Sequence, residues 1–414
     1  MGFAQGVSAL NAAASNLDVI GNNIANAGTI GFKSGSVQFS AVYAGSKVGL
    51  GTQVAGVAQS FTSGAVQTSS RALDVAITNG DGFFRVASPG GEIAYSRNGQ
   101  FDLDKSGYIV NSAGLRLTGY TVSDSGAISG GSPVPLQMPT SAMEPNPTQN
   151  IVAKFNLDSR SVAPAAAFDP SKSETYNYAN SVSVNDSLGN THEMSTFFVK
   201  SAAPANSWKV YATADGQALT STGAIASPPA TTAGSLGTLE FDGGGMLTTT
   251  PATLTVAGLD FGNGSNPMGF AIDMAGTTQF GNANVVQKLS QDGFNSGTLK
   301  SFSIEANGTI TGKYSNEQTK PLGQLVLSSF VNPNGLKSKG DNVWAESAES
   351  GSPLTGAPGA GTKLGSLVSG AVEGSNVDLT SELVNLVIAQ RTYQANAQTV
   401  KTQDQVMQTL INIR

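Results

Sequence analysis

Few side chains in this 414-residue chain could carry out chemistry. There is no cysteine and only one histidine, His192, so disulfides, thiolate metal sites and clusters of histidines are excluded. The run Asp102-Leu103-Asp104 resembles the start of a calcium-binding EF-hand loop, but Ala113 stands where that loop needs a bidentate glutamate. We therefore interpret the run as a β-turn and His192 as a surface residue.

Paired carboxylates are the remaining route to catalysis, because two of them can act as acid and base in glycoside hydrolysis. Four candidates lie in the middle of the chain: Asp169, Glu174, Asp186 and Glu240. The glycine-rich segments 80–82 and 243–245 do not open a helix after a strand, so neither predicts a phosphate-binding loop. We predict no catalytic residue, cofactor or metal and do not expect an enzyme. The alternative is a hydrolase active site within residues 146–290.

The charge of the chain is low and is unevenly placed. Only 12% of the residues are charged, with a net charge of −6, and no Lys or Arg lies between Val210 and Gln287. Without a basic stripe or an 18-residue apolar run, we expect neither nucleic-acid binding nor insertion into a membrane. No basic residue precedes Lys33, so we expect no cleaved secretory signal.

The two ends of the chain carry the strongest periodicity. From Leu379 to Ile411, apolar residues recur at alternate steps of four and three, without proline or glycine. A similar pattern runs from Phe3 through Val7 to Ile24. We predict a mainly β fold whose N- and C-terminal helices pair as a coiled coil, with nested antiparallel β-domains inserted between them. The alternative is two unrelated amphipathic helices on a globular core.

The segments between these helices predict a nested domain organisation. Short strand-like runs separated by turn residues predict antiparallel strands, among them residues 83–87, 93–96 and 309–314. Asn98-Gly99 and Ser106-Gly107 predict tight hairpins. We predict a helical domain from residues 1–27 and 377–414, an extended connector from 28–70 and 357–376, a β-domain from 71–145 and 291–356, and an inserted outer β-domain from 146–290.

The polar face of the C-terminal helix carries amides where a solvated helix would carry Lys and Glu. The amides are Gln390, Gln394, Asn396, Gln398, Gln403, Gln405, Gln408 and Asn412. An amide can donate to and accept from a neighbour without the desolvation cost of a charge. We interpret this face as packing against other helices in an assembly or lining a polar channel; the alternative is that amides are merely tolerated there.

Both ends of the chain resemble the flagellar rod and hook protein family, and residues 79–84 and 95–99 resemble its β-domain. The N-terminal residues that carry the resemblance or the expected assembly contacts are Asn22, Asn23, Ile24, Asn26, Gly31, Phe32 and Lys33. Those at the C-terminal end are Asn376, Asp378, Leu383, Leu386, Gln390, Arg391, Tyr393 and Asn396. Gly28 is a small departure, because many members have Asn there.

The resemblance implies an axial structural protein that polymerises into a tube and is exported by the flagellar type III apparatus. The insertion at residues 146–290 resembles the hook members, whose flexible extracellular tube joins motor and filament. The implied partners are further copies of the chain, the distal rod protein, the hook cap protein, the hook–filament junction protein and the export apparatus. The alternatives are a distal rod protein or, in another class, a secreted adhesin or hydrolase.

Overall fold

The computed structural model describes residues 3–42, 51–123, 126–226 and 233–412. The ends of the predicted helical domain, residues 1–2 and 413–414, and part of the predicted connector, residues 43–50, lie outside that description. The chain forms two compact units: unit 1 comprises Met1–Thr140, Ser301–Lys313 and Thr319–Arg414, and unit 2 comprises Ser141–Lys300 and Tyr314–Gln318. Within the described ranges, no helix is long and apolar enough to cross a membrane.

The first part of unit 1 is a helix followed by ten strands. The elements are α1 (Phe3–Ala25), β1 (Gly35–Ala41), β2 (Thr52–Gln59), β3 (Val66–Thr68), β4 (Val75–Thr78), β5 (Phe83–Ala87), β6 (Ile93–Ser96), β7 (Asp102–Leu103), β8 (Ile109–Val110), β9 (Arg116–Tyr120) and β10 (Val134–Pro135).

Unit 2 follows with nine strands and a short 3-10 helix at Ser173–Thr175. The strands are β11 (Asn150–Asn156), β12 (Tyr178–Asn185), β13 (Thr191–Lys200), β14 (Ser207–Ala214), β15 (Gln217–Ala218), β16 (Gly237–Glu240), β17 (Thr253–Leu259), β18 (Met268–Asp273) and β19 (Val285–Gln291).

The chain ends with nine strands, a 3-10 helix at Pro333–Gly335 and a long helix. These elements are β20 (Leu299–Ile304), β21 (Thr309–Tyr314), β22 (Thr319–Leu325), β23 (Leu327–Ser329), β24 (Lys337–Gly340), β25 (Val343–Ala345), β26 (Leu354–Gly356), β27 (Ser366–Ser369), β28 (Ala371–Glu373) and α2 (Leu379–Asn412).

The two terminal helices pack against each other, and the β1–β2 hairpin packs on α1, which confirms the predicted fold class. Small residues allow the close approach: a Cβ added at Gly6 would lie 2.7 Å from Val400 Cγ2. The buried stripe of α1 differs from the predicted seam by one position. It contains Gly6, Ala13 and Ile20, whereas the predicted seam residue Val7 is 36% exposed. Close packing against α2 therefore favours the small residue Gly6 over its larger neighbour Val7.

The main sheet of unit 1 has the strand order β20-β21-β22-β9-β5-β6-β25-β24. Its apolar core includes Phe84, Ile109 and Leu117, all fully buried. The predicted hairpin at Ser106-Gly107 joins β7 to β8, with Gly107 at φ +82°. The hairpin predicted at Asn98-Gly99 is wrong, because β6 pairs with β5 and β25 and not with the strand that follows it.

Gly99 has a different role from the one its turn-like sequence predicts. Its carbonyl accepts a hydrogen bond from the backbone N–H of Val75 at 2.9 Å. A Cβ added at Gly99 would lie only 1.7 Å from the Val75 carbonyl oxygen, so no other residue fits without a backbone shift. This glycine is therefore required by a close approach of two backbone segments and not by a hairpin.

Unit 2 contains two sheets that contribute to one apolar cluster. One sheet has the order β17-β18-β11-β19, in which β11 and β18 run parallel, and the other has the order β12-β13-β14-β15, with β16 beside β14. Trp208 and Phe198 are fully buried in this cluster. The indole N–H of Trp208 donates to Gln279 Oε1 at 2.5 Å, which satisfies the one polar atom of that side chain.

Candidate functional site

A buried cluster of charges, the Glu373 junction, joins the two ends of the chain within unit 1. Its members are Lys33, Arg97 and Glu373, whose side chains are 0–1% exposed. Lys33 Nζ lies 2.6 Å from Glu373 Oε1, and Arg97 Nη1 lies 3.3 Å from Oε2. Burial lowers the pKa of Lys33 and of Arg97, and the Glu373 carboxylate opposes both shifts. The two cations therefore share one carboxylate as their ion-pair partner, and the charge of Asp81 adds to the compensation of Arg97.

Backbone groups complete the Glu373 junction. The N–H of Gly64 donates to Glu373 Oε1 at 2.9 Å, and Lys33 Nζ also donates to the Thr62 carbonyl at 2.6 Å. The N–H of Gly31 donates to the Glu373 carbonyl at 2.8 Å. Gly31 has φ +70°, and a Cβ there would lie 2.6 Å from the N of Asn98. A glycine is therefore needed where the N-terminal segment passes the backbone of Arg97 and Asn98.

Asn376 makes a second link between the chain ends. Its Oδ1 accepts from the N–H of Ser34 at 2.8 Å, while its Nδ2 donates to the Ser60 carbonyl at 2.8 Å. Asn23 makes a similar reciprocal pair with the backbone of Gly35, at 2.8 and 2.9 Å. Amides suit both places because each satisfies a donor and an acceptor at once.

The structure thus brings three of the predicted residues together at the chain-end links: Gly31, Lys33 and Asn376. Asn23 instead joins the end of α1 to the start of β1. Of the other N-terminal candidates, Phe32 is buried, Ile24 is half-buried, and Asn26 Nδ2 donates to the Asn22 carbonyl at 3.0 Å where α1 ends.

Two residues of the Glu373 junction, Arg97 and Glu373, were missed as candidate site residues. The only sign of this cluster in the sequence is Lys33, because a lone cation between uncharged segments needs a counterion if it is buried. Nothing local identifies Glu373, which is 340 residues away in the chain.

The beginning of α2 is capped by Asp378. Its Oδ1 accepts hydrogen bonds from the N–H groups of Thr380 at 2.9 Å and Ser381 at 3.1 Å, and these bonds lower the pKa of Asp378. An ionised carboxylate at this position satisfies the free N–H groups of the first turn. The predicted motif residue Asp378 therefore sets where the C-terminal helix begins.

The rest of the predicted C-terminal set does not form a closed site. Leu386 and Asn396 are half-buried, whereas Leu383, Arg391 and Tyr393 are exposed, as is Gln390. The exposed fractions of Leu383, Val384, Val387 and Ile388 are 47–57%, and those of Val406 and Met407 are 54% and 58%. Helix α1 therefore covers only one side of α2, and an apolar side is left without a partner among the described residues.

A cleft of about 620 Å³ lies between α1, α2 and β1. It is lined by small residues such as Ala9, Ala13 and Ala389, with Phe39 from β1 and Glu382 from α2. Such a cavity between helices is a potential binding surface. We refer to it below as the interhelical cleft.

The predicted surface position of His192 is wrong. The residue is 8% exposed, and its ring stacks on Phe261 at a centroid distance of 3.5 Å. Its Nδ1 lies 2.7 Å from Asp215 Oδ2, and its Nε2 lies 3.2 Å from Asp186 Oδ2. Burial acts to raise the pKa of Asp186, but hydrogen bonds from Asn190 and Asn263 outweigh it and hold that pKa below its usual range.

The other candidates for chemistry have simple structural roles. Asp104 Oδ1 accepts from the N–H groups of Ser106 and Tyr108, both at 2.8 Å, so the calcium-loop resemblance is a β-turn as predicted. Asp169 forms an ion pair with Lys172 at 3.3 Å. In the described part of the chain, no group of acidic residues and histidine is placed to hold a metal ion.

Comparison with known protein families defines the class. The N-terminal residues 4–33 match the model of flagella basal body rod proteins, and residues 368–413 match the flagellar basal body rod FlgEFG protein C-terminal model. Residues 76–152 match the flagellar hook protein FlgE/F/G D1 domain, and residues 156–294 match the flagellar basal body protein FlaE D2 domain. The matched segments include both paired helices, and the class is that of flagellar rod and hook proteins.

Full-length relatives make the assignment more specific. The chain is 45% identical over 418 residues to the flagellar hook protein FlgE of Escherichia coli K12 and 44% identical over 420 residues to that of Salmonella typhimurium, with 100% of each chain covered. The Borreliella burgdorferi protein of the same name is 31% identical, covering 99% of this chain and 98% of its own. A crystal structure of Helicobacter pylori FlgE2 matches at 14% identity and TM-score 0.48, covering 74% of this chain and 99% of that one. The chain belongs to the flagellar hook protein FlgE family.

Proposed function

We propose that this chain polymerises into the flexible tube of the bacterial flagellar hook, the joint between motor and filament. The observation that carries the proposal is the uncovered apolar side of α2, where Leu383 and Val387 are each 47% exposed. Exposed apolar side chains grouped on one side of a helix mark an interaction surface. Membership of the hook protein family supports copies of the same chain as the partner.

The predicted domains take distinct roles in this proposal. Residues 1–27 and 377–414 form the helical wall of the inner tube, residues 28–70 and 357–376 act as connector, and the two β-domains form the outer layers. The amides of α2 suit a polar channel through which unfolded export cargo passes, because they offer hydrogen bonds without a fixed charge.

The predicted motif residues divide into two groups in this proposal. Gly31, Lys33 and Asn376 hold the chain ends together, as their contacts with the opposite end support, while Asn23 joins α1 to β1. Leu383, Gln390, Arg391 and Tyr393 contact neighbouring copies, because they are exposed on α2.

We further propose that the chain reaches its place outside the cell through the flagellar type III apparatus, without a cleaved signal. At the ends of the tube it contacts the distal rod protein, the hook cap protein and the hook–filament junction protein. These partners follow from the family and not from any contact in the structure.

Electron microscopy of the purified full chain under polymerising conditions tests the proposal. We expect tubes from the wild type and from the control variant Val162→Ser, which removes a side chain that is 81% exposed in unit 2. The double variant Leu383→Ser/Val387→Ser should remain monomeric. Tubes from this double variant at the wild-type concentration would contradict the role given to α2.

A further inference from the structure

The interhelical cleft contains a carboxylate with one oxygen that has no hydrogen-bond partner among the described residues. Glu382 lies in the first turn of α2 and lines the cleft, and its Oε2 is shielded from solvent without a hydrogen-bond partner among the described residues. Helix α1, on the other side of the cleft, contains no Lys or Arg. A shielded carboxylate oxygen without a donor is unfavourable, so the cleft favours an occupant that brings a cation.

The uncovered side of α2 carries such a cation next to apolar side chains. Val384, Val387 and Arg391 follow one another at steps of three and four, so they share one face of the helix. All three are exposed, and Arg391 takes part in none of the ion pairs formed by the described residues. This face therefore offers an apolar contact and a guanidinium together.

Glu382 and Arg391 cannot meet within one copy. They are nine residues apart, which is two and a half turns at about 3.6 residues per turn, so they lie on opposite sides of α2 and about 13 Å apart along its axis. The cleft and the Arg391 face are therefore two different surfaces of one molecule. Contact between them is head-to-tail, and such a contact repeats from copy to copy to build a ring or, where the rotation does not close, an open helical polymer.

We propose that Arg391 of one copy enters the interhelical cleft of the next and pairs with Glu382, while Val384 and Val387 cover the alanines that line it. The occupant of the cleft is thus a second copy of this chain. This inference rests on the proposed function, because it names the contact through which the hook subunits join. The guanidinium suits the site because it can donate to both carboxylate oxygens at once.

Charge reversal tests the pair. Glu382→Arg and Arg391→Glu should each raise the critical concentration for tube formation by at least about tenfold, because like charges face each other across a contact. The double variant Glu382→Arg/Arg391→Glu should return it to within about twofold of the wild type, since the pair is restored in reverse. The matched control is Glu382→Arg/Lys401→Glu, which makes the same change of charge on the same helix and should not recover.

Cross-linking gives a second measurement that does not depend on the strength of the pair. The chain has no cysteine, so Glu382→Cys/Arg391→Cys introduces the only two thiols. Within a copy the two positions lie on opposite sides of α2, and between copies the paired side chains hold the Cα atoms farther apart than the ~7 Å that a disulfide can bridge. A bis-maleimide with a short spacer, added to assembled tubes, should therefore join neighbouring copies into a ladder of covalent oligomers. The control Glu382→Cys/Lys401→Cys should give none.

The outcomes separate this inference from the proposed function. If the wild type forms no tubes, the proposed function fails. If the wild type forms tubes but the double charge reversal does not recover, or the cross-linked ladder is absent, only the Glu382–Arg391 contact is overturned. Tubes from either single reversal at the wild-type critical concentration would also overturn it.

Discussion

Substitution Glu373→Gln should destabilise unit 1 strongly, because the buried cations Lys33 and Arg97 share this one carboxylate. Removing one partner of a buried ion pair costs about 3–5 kcal/mol, since the remaining charge stays out of water. With two cations left, we expect the upper part of that range. The amide of Gln keeps the shape of the side chain and can still accept a hydrogen bond. The loss of unfolding free energy therefore reports on the removed negative charge.

The assay is urea unfolding followed by tryptophan fluorescence. The chain has two tryptophans, and a Trp208→Phe background leaves the signal to Trp344, which packs against Phe83 and Phe61 in unit 1. The matched control is Glu92→Gln. It removes the same charge from the ion pair with Lys339, in which the Glu92 side chain is 66% exposed. An exposed pair contributes only about 0–1 kcal/mol, so the control should unfold close to the wild type.

A loss below about 1 kcal/mol for Glu373→Gln, indistinguishable from the exposed control, would refute this reasoning. A third variant sharpens the test. Replacing Lys33, Arg97 and Glu373 together by Met removes every charge, and apolar replacement of a whole buried ion group is often neutral or stabilising. We therefore expect the triple variant to be more stable than Glu373→Gln alone.

Three further predictions follow from other parts of the molecule. Gly6→Ala should prevent tube formation while Gly21→Ala leaves it unchanged, because a Cβ at Gly6 meets Val400 Cγ2 at 2.7 Å and one at Gly21 meets nothing within 4 Å. Electron microscopy of both variants checks this, and equal numbers of tubes from the two would contradict it. For Asp292, burial acts to raise the pKa, but backbone and side-chain donors from Asn150 and a backbone donor from Gln149 hold it below its usual value of 3.8. Its contribution to the stability of unit 2 is therefore complete above that value and is lost as the pH falls through the lower, folded pKa. Over this pH range the free energy of unfolding should fall more steeply in the wild type than in Asp292→Asn, which urea unfolding at a series of pH values checks. Finally, the terminal helices should be disordered in the monomer and fold on assembly, because isolated helices are marginally stable. Amide hydrogen exchange at residues 383–410 of the monomer should be fast, and slow exchange there would be evidence against coupled folding and assembly.

Local patterns predicted the regular elements well. The strands predicted at residues 83–87, 93–96 and 309–314 are found as Phe83–Ala87, Ile93–Ser96 and Thr309–Tyr314. In each case a short strand-like run and a nearby turn supply the information within a few residues. The paired terminal helices were predicted for the same reason, since their heptad pattern is local to each helix.

The errors came from contacts made over long distances in the chain. Asn98-Gly99 has the composition of a hairpin turn, but Gly99 is required by the approach of the Val75 carbonyl. His192 lies at period-two spacing from Met194 and Phe198 on β13, so it shares their buried face, but its partners Phe261 and Asp215 come from other segments. No local pattern records such partners.

The sequence by itself determined that this is a mainly β protein with heptad helices at its ends, few charges and no thiol chemistry. It also carried the motifs that resemble the flagellar rod and hook family. The tertiary structure decided which charges are buried together, because Lys33 and Glu373 are 340 positions apart in the chain and meet only in the folded structure. It also decided which side of α2 is covered by α1, since backbone proximity at Gly6, and not apolar periodicity alone, fixes how two helices pack.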